Sequence, residues 1–300
     1  MQDNARGALF MVLAMAGFAV EDLLIKLATR GLPAGLVLML FGLGGCAGFA
    51  ALARRAGQPL VSPLMLQPVM ALKALAEVTG RMGYTLALAT TALSTASAIM
   101  QATPLVVVAG AALVFGETVG WRRWSAIAVG FAGVVMILRP GLEGFTAGAL
   151  WAVVSTVGFA ARDLATRAAP RGLGNAQLGL TGFSVLVPTG AVIWALGLGA
   201  EGDGSHLSTG LALASVCAAC CVGIGAYSAL TTAMRVGEVS VVTPFRYTRL
   251  IFAMILGASL LAERPDALTL AGAALILAAG VYTLLRTRRA GQPVAVRARG

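Results

Sequence analysis

The sequence predicts an all-α integral membrane protein, with ten transmembrane helices arranged as two inverted five-helix repeats. Three observations carry this expectation. The chain of 300 residues is 58% hydrophobic and only 11% charged. Its apolar residues fall into ten runs of membrane-spanning length. A half-charged phrase is written twice, as GFAVEDLLIKLA at 17–28 and GFAARDLATRAA at 158–169.

The composition is that of a membrane protein rather than a soluble enzyme. A span uses ~20 apolar residues, so ten spans take ~200 and leave short loops with no room for a soluble domain. The net charge of +10 does not point to nucleic acid. Arg54, Arg55, Arg122, Arg123, Arg167, Arg171, Arg235 and the tail arginines from Arg286 to Arg299 lie between or beyond the oily runs, as cytoplasmic loops do under the positive-inside rule. Cys46, Cys217, Cys220 and Cys221 all lie in apolar runs. The cluster at 217–221 has no histidine partner, because His206, the sole histidine, sits in a polar loop. Small membrane-core residues are therefore expected there, with no metal and no disulfide. Arg6 followed by an apolar run mimics a signal peptide. The same phrase returns in mid-chain, so a retained first span is the simpler reading.

Helices are expected near 7–29, 34–53, 67–90, 94–115, 122–138, 146–168, 176–197, 209–234, 239–261 and 267–286. Breakers or polar residues separate them, among them Pro33, Pro59, Pro140 and the acidic EGDGSHLS at 201–208. With the N-terminus inside, the inner segments collect most of the arginines, and the outer ones hold only Arg30, Arg139 and Arg264. An even helix count then leaves both termini cytoplasmic.

The repeat is explicit. From Gly7 and Gly148, GALFMVLAMAGFAVEDLLIKLA and GALWAVVSTVGFAARDLATRAA share ten of twenty-two positions. Further on Tyr84 answers Tyr227, and Glu117 answers Glu263. The chain is read as two copies of one unit, 1–140 and 141–300. Five spans per unit is an odd number, so the second copy enters from the opposite face. Inverted repeats of this kind occur in many secondary transporters.

A charge at mid-helix costs ~2.5–3.5 kcal/mol on insertion scales, so its place is informative. On the third helix Lys73, Glu77 and Arg81 share one face by i, i+4 spacing, near Tyr84. Glu77 falls ~15 Å deep, close to the midplane. The ninth helix carries TPFRYTRL at 243–250, where Arg246 and Arg249 share a face. Four cations (Lys73, Arg81, Arg246, Arg249) against Glu77 predict a cavity that attracts carboxylates or phosphates. Arg249 or Arg246 would receive a substrate carboxylate and Glu77 its ammonium; a purely structural ion network accounts for the same residues. Gln101, Thr243, Tyr84, Tyr227 and Tyr247 are further candidate lining, with Ser97.

Depth along the helix places Asp22 near the outer mouth and Asp163 near the inner one. Each has a base four residues on, Lys26 and Arg167. These pairs, with Lys73, are candidate gating or coupling groups; helix-end ion pairs with snorkelling bases are the alternative. Glu21 and Arg162 break the symmetry and would pair if the first and sixth helices meet. Pro104, Pro188 and Pro244 are able to loosen their helices. Gly42, Gly44, Gly45 and Gly48 suggest close packing of the second helix. Glu117 and Glu263 are expected to favour the N-terminal dipole of the last helix in each half. No catalytic constellation or P-loop is present, which argues against an enzyme and against ATP-driven transport within the chain.

The repeated GALxxxxAxxGFA opening, ASAIMQATPLVVVAGAALVFGE at 96–117 and TPFRYTRLIFAMILGASLLAERP at 243–265 resemble the drug/metabolite transporter (DMT) superfamily, specifically its EamA-type ten-helix members. The resemblance covers nearly the whole chain. It implies a multi-pass exporter of the bacterial inner membrane that moves amino acids or related metabolites by alternating access, resembling the YddG-like exporters. Related ten-helix proteins import S-adenosylmethionine, and PFRYTRLIF resembles those too. The expected partners are a small carboxylate-bearing substrate and the lipid bilayer, with no cofactor, no metal and no nucleic acid, and the unit is expected to work as a monomer. A channel is the remaining alternative.

Overall fold

The computed structural model describes residues 2–115, 119–139, 146–168, 170, 172–198, 207–236 and 243–289. Those residues are all helix and connection, with no strand among them. The helices are α1 (Gln2–Ala28), α2 (Ala34–Arg55), α3 (Pro68–Thr90), α4 (Leu93–Met100), α5 (Thr103–Phe115), α6 (Trp121–Leu138), α7 (Ala147–Arg167), α8 (Asn175–Ser184), α9 (Leu186–Ala195), α10 (Thr209–Val236), α11 (Thr248–Leu260) and α12 (Ala267–Arg289). Glu117, Arg171, His206 and the tail from residue 290 lie outside the described residues.

Three expected spans are broken helices. The fourth divides into α4 and α5 and the seventh into α8 and α9. The ninth enters through a 3₁₀ turn, Thr243–Tyr247, ahead of α11. Each break stands next to a proline, whose missing N–H frees a carbonyl one turn earlier. At the α4–α5 break the Thr103 hydroxyl donates to the Met100 carbonyl at 2.6 Å, which shields that carbonyl inside the bundle.

The bundle is inside-out relative to a soluble protein. On α3 the apolar Leu72 and Leu75 are 57% and 63% exposed, whereas Lys73 and Glu77 are 4% and 8% exposed. Leu9, Leu113, Val192, Leu211, Ile251 and Leu260 continue the exposed apolar surface around the molecule. Water would not tolerate so much exposed leucine; a bilayer solvates it. Five spans are long and apolar enough to cross a membrane by composition alone: Ala5–Ala28, Ala34–Arg55, Leu93–Val114, Asn175–Ala195 and Thr209–Leu230. The charges of α3 and α7 keep those two helices out of that set. The chain is a multi-pass helical membrane protein.

Helix packing follows the sequence repeat. α1 lies along α10 and α3 along α7, while α2 meets α8 and α9, and α6 meets α12. Exchanging the two copies turns the first pair into the second and the last two into themselves. Small residues set the crossings. A Cβ on Gly158 of α7 would sit 2.4 Å from the Gly80 backbone nitrogen of α3. At the equivalent crossing, a Cβ on Gly17 of α1 would sit 2.8 Å from the Ala226 methyl of α10. The expected packing of α2 is also present: Gly42, Gly44, Gly45 and Gly48 abut Leu186, Cys220, Phe183 and Ile224.

The α3–α7 contact leaves no room for a side chain. Gly158→Leu is expected to destabilise the protein by about 1–3 kcal/mol or more, measured as a fall in the melting temperature of the detergent-purified protein. An unchanged melting temperature would contradict the crossing.

Candidate functional site

The GFAxxD phrase has the same three tasks in both copies. Its glycine makes the close crossing just described. Its phenylalanine is a platform for an arginine, with Arg249 over Phe18 at 5.2 Å and Arg162 over Phe159 at 4.6 Å. Its aspartate takes an arginine from the ninth span. Asp22 accepts from Arg249 Nε at 3.0 Å and from Nη2 at 2.7 Å. Asp163 faces Arg246 Nη2 at 3.7 Å. Each charge is thereby neutralised by another in a region where water cannot do it.

The rest of the network grows from α3. Arg81 donates to Glu21 Oε1 at 2.7 Å and is enclosed by the rings of Phe41, Phe159 and Phe183 at 5.3–5.9 Å. Such contacts contribute about 0.5–2 kcal/mol each, more where the cation is desolvated. Glu77 lies 3.6 Å from Lys73, 3.5 Å from Arg162 and 3.9 Å from Arg81. Arg162 also donates to Asp163 from Nε at 3.0 Å and from Nη2 at 2.8 Å. The Tyr84 hydroxyl donates to Asp22 at 3.0 Å and contacts Ser97 Oγ at 3.2 Å. The second oxygen of Glu21, Oε2, has no hydrogen-bond partner among the described residues.

This geometry corrects the charge count expected from sequence. Lys73, Arg81, Arg162, Arg246 and Arg249 stand against Glu21, Asp22, Glu77 and Asp163, so the cationic surplus is one rather than three. Asp22 and Asp163, expected from depth along their helices at opposite mouths, both meet arginines of the ninth span, Arg249 and Arg246. Glu21 and Arg162 do not seek each other; Arg81 takes the first, and Asp163 and Glu77 take the second. Lys26 donates to the carbonyls of Leu88 at 3.1 Å and Thr91 at 2.6 Å, at the C-terminal end of α3. The Arg167 side chain lies outside the described residues, as does that of Thr243.

Other candidates are placed as follows. The Gln101 amide donates to the Arg246 and Tyr247 carbonyls at 3.4 and 3.1 Å, joining the α4–α5 break to the 3₁₀ turn. Tyr247 is buried with its hydroxyl against Gly280. Tyr227 packs edge-on to Phe49 at 5.1 Å. Glu263 does cap a helix N-terminus, but that of α4 in the other half: it accepts from the Leu93 and Ser94 amides at 2.7 and 3.0 Å and from the Ser94 hydroxyl at 2.8 Å. Asp266 takes the corresponding place before α12, accepting from the Thr269 amide at 2.9 Å. It also pairs with Arg139, and that guanidinium and the Thr269 amide hold its carboxyl well below the usual range. Sequence reading missed the aromatic enclosure. The signal for two of its rings, Phe18 and Phe159, lay in the repeated phrase itself.

Residues 5–139 match the EamA-like transporter family. A riboflavin transporter of Rhizobium johnstonii is 30% identical over 202 residues, covering 65% of this chain and 62% of that protein. S-adenosylmethionine uptake transporters of Rickettsia felis and Rickettsia prowazekii are 25% and 24% identical, each match covering 70% of this chain and 69% of the relative. Over its N-terminal stretch, residues 5–139, the chain is similar to EamA-like transporters, and the relatives it matches are transporters by name. A solved crystal structure, 19% identical, aligns over 96% of this chain and 99% of its own with a TM-score of 0.61, and so shares the fold. Amino-acid export, expected from the sequence, has no support in these relatives, whose names point to riboflavin and to S-adenosylmethionine uptake.

Glu263 ties the two halves of the chain together through backbone amides. Glu263→Ala is expected to cost about 1–2 kcal/mol, read as a lower melting temperature in detergent; a variant as stable as the wild type would contradict the cap.

Proposed function

We propose that the protein is a secondary carrier of two inverted repeats, 1–140 and 141–300, that takes up a zwitterionic metabolite bearing a planar aromatic ring. The observation that carries this reading is the mixed-charge network walled by aromatic rings at the junction of the two halves. A carboxylate and an onium group both find counter-charges there, and Phe18, Phe41, Phe159, Phe183 and Tyr84, which already hold arginines, have the chemistry that also suits a substrate ring or cation. S-adenosylmethionine has that chemistry, and the names of the Rickettsia relatives favour uptake. The site lies where related transporter architectures place theirs, at the repeat interface near mid-membrane. The arginine distribution supports cytoplasmic termini, and the resemblance to EamA-type transporters supports the bacterial inner membrane.

The second reading is amino-acid export, favoured by the same carboxylate and ammonium complementarity without need of the rings. Counterflow in liposomes separates the two. Preloaded S-adenosylmethionine is expected to accelerate entry of labelled S-adenosylmethionine at least several-fold, with saturation, while the common amino acids compete poorly. Flux without saturation or counterflow would make the protein a channel and overturn the proposal; competition by amino acids alone would favour the second reading.

A further inference from the structure

Two arginines of the ninth span face the network, and the structure treats them differently. Arg249 is fully engaged. It makes three bonds of 2.7–3.0 Å to Asp22, lies over Phe18 and Tyr84, and its side chain is 16% exposed. Asp22 is wholly buried, so a ligand that drew Arg249 away would strand an unpaired carboxylate. Arg246 is held loosely. Among the described residues its one ion pair, to Asp163, is 3.7 Å long, and its side chain is the most exposed of the network at 29%. Asp163 is already served by two shorter bonds from Arg162. Its backbone is nonetheless fixed, because Gln101 grips the Arg246 and Tyr247 carbonyls.

We propose that Arg246 is the carboxylate-binding residue of the site, and that Arg249 is a structural partner of Asp22. This rests on the carrier reading above and deepens it: the substrate presents a free carboxylate at the Arg162–Asp163–Arg246 edge of the network. Guanidinium and carboxylate form two parallel N–H···O bonds. Arg246 is free to make them at the loss of only a long contact to Asp163, and Arg162 continues to neutralise that aspartate. The network's surplus of one positive charge favours the carboxylate end of the substrate at this edge, while the substrate's own cationic groups turn to the acidic residues.

The test uses the full-length protein in liposomes, with S-adenosylmethionine and its carboxyl methyl ester as probes. The wild type is expected to prefer the free acid at least tenfold in apparent KM, and Arg246→Gln to abolish that preference. Arg246→Lys, which keeps the charge but not the fork, is expected to retain part of it and covers the case in which the neutral variant does not insert. A wild type that does not distinguish acid from ester, or an Arg246 variant of either kind that keeps the full preference, overturns the assignment. Failure of the wild type to move either probe overturns the carrier reading instead.

Discussion

Among the described residues, nine charged side chains form a network inside a bundle whose outer surface is largely leucine and valine. With no water to solvate them, they have chiefly one another. This constraint orders the structure. Asp22 of the first span requires Arg249 of the ninth, Arg81 of the third requires Glu21 of the first, and Glu77 collects Lys73, Arg81 and Arg162. Two of these pairs, Asp22–Arg249 and Glu77–Arg162, join opposite halves of the sequence, so the two copies are held in register by electrostatics as well as by packing. Removing one partner of such a buried pair typically costs 3–5 kcal/mol, because the other charge is stranded.

A network of paired charges has a property that an apolar core lacks. It exchanges partners with little change in total charge, and a zwitterion inserted into it leaves the balance nearly intact. The aromatic rings around Arg81 and Arg249 hold cations without fixing them by directional bonds. The glycine crossing of α3 with α7 brings their charged faces close enough for Glu77 and Arg162 to interact. The same contacts thus explain how the charges are tolerated and why a polar solute has a place among them.

The ten-span plan, the duplication and the glycine-rich packing of α2 were legible because they depend on periodicity and spacing within short windows. The deep charges of α3 and of the ninth span were legible for the same reason. Their partners were not. Asp22 and Arg249 are 227 residues apart in sequence, and nothing local announces their meeting. Linear depth assigned Asp22 and Asp163 to separate mouths, but long arginine side chains reach laterally between helices. Glu263 was read from its position before α12, although its carboxylate turns to the exposed amides of α4; a helix terminus attracts an acid from any neighbour, not only from its own chain segment. The aromatic enclosure escaped notice because phenylalanine in an apolar span is indistinguishable by composition from lipid-facing filler.

The most direct test of the account is a charge exchange between the two halves. Asp22→Arg and Arg249→Asp, each alone, are expected to leave like charges buried together and to prevent accumulation of folded protein in the membrane. The double exchange is expected to restore folded protein, measured by fluorescence-detected size-exclusion chromatography. Single variants that accumulate at the wild-type level, or a double exchange that recovers nothing beyond the singles, would contradict the claim that mutual neutralisation across the repeat holds the bundle together.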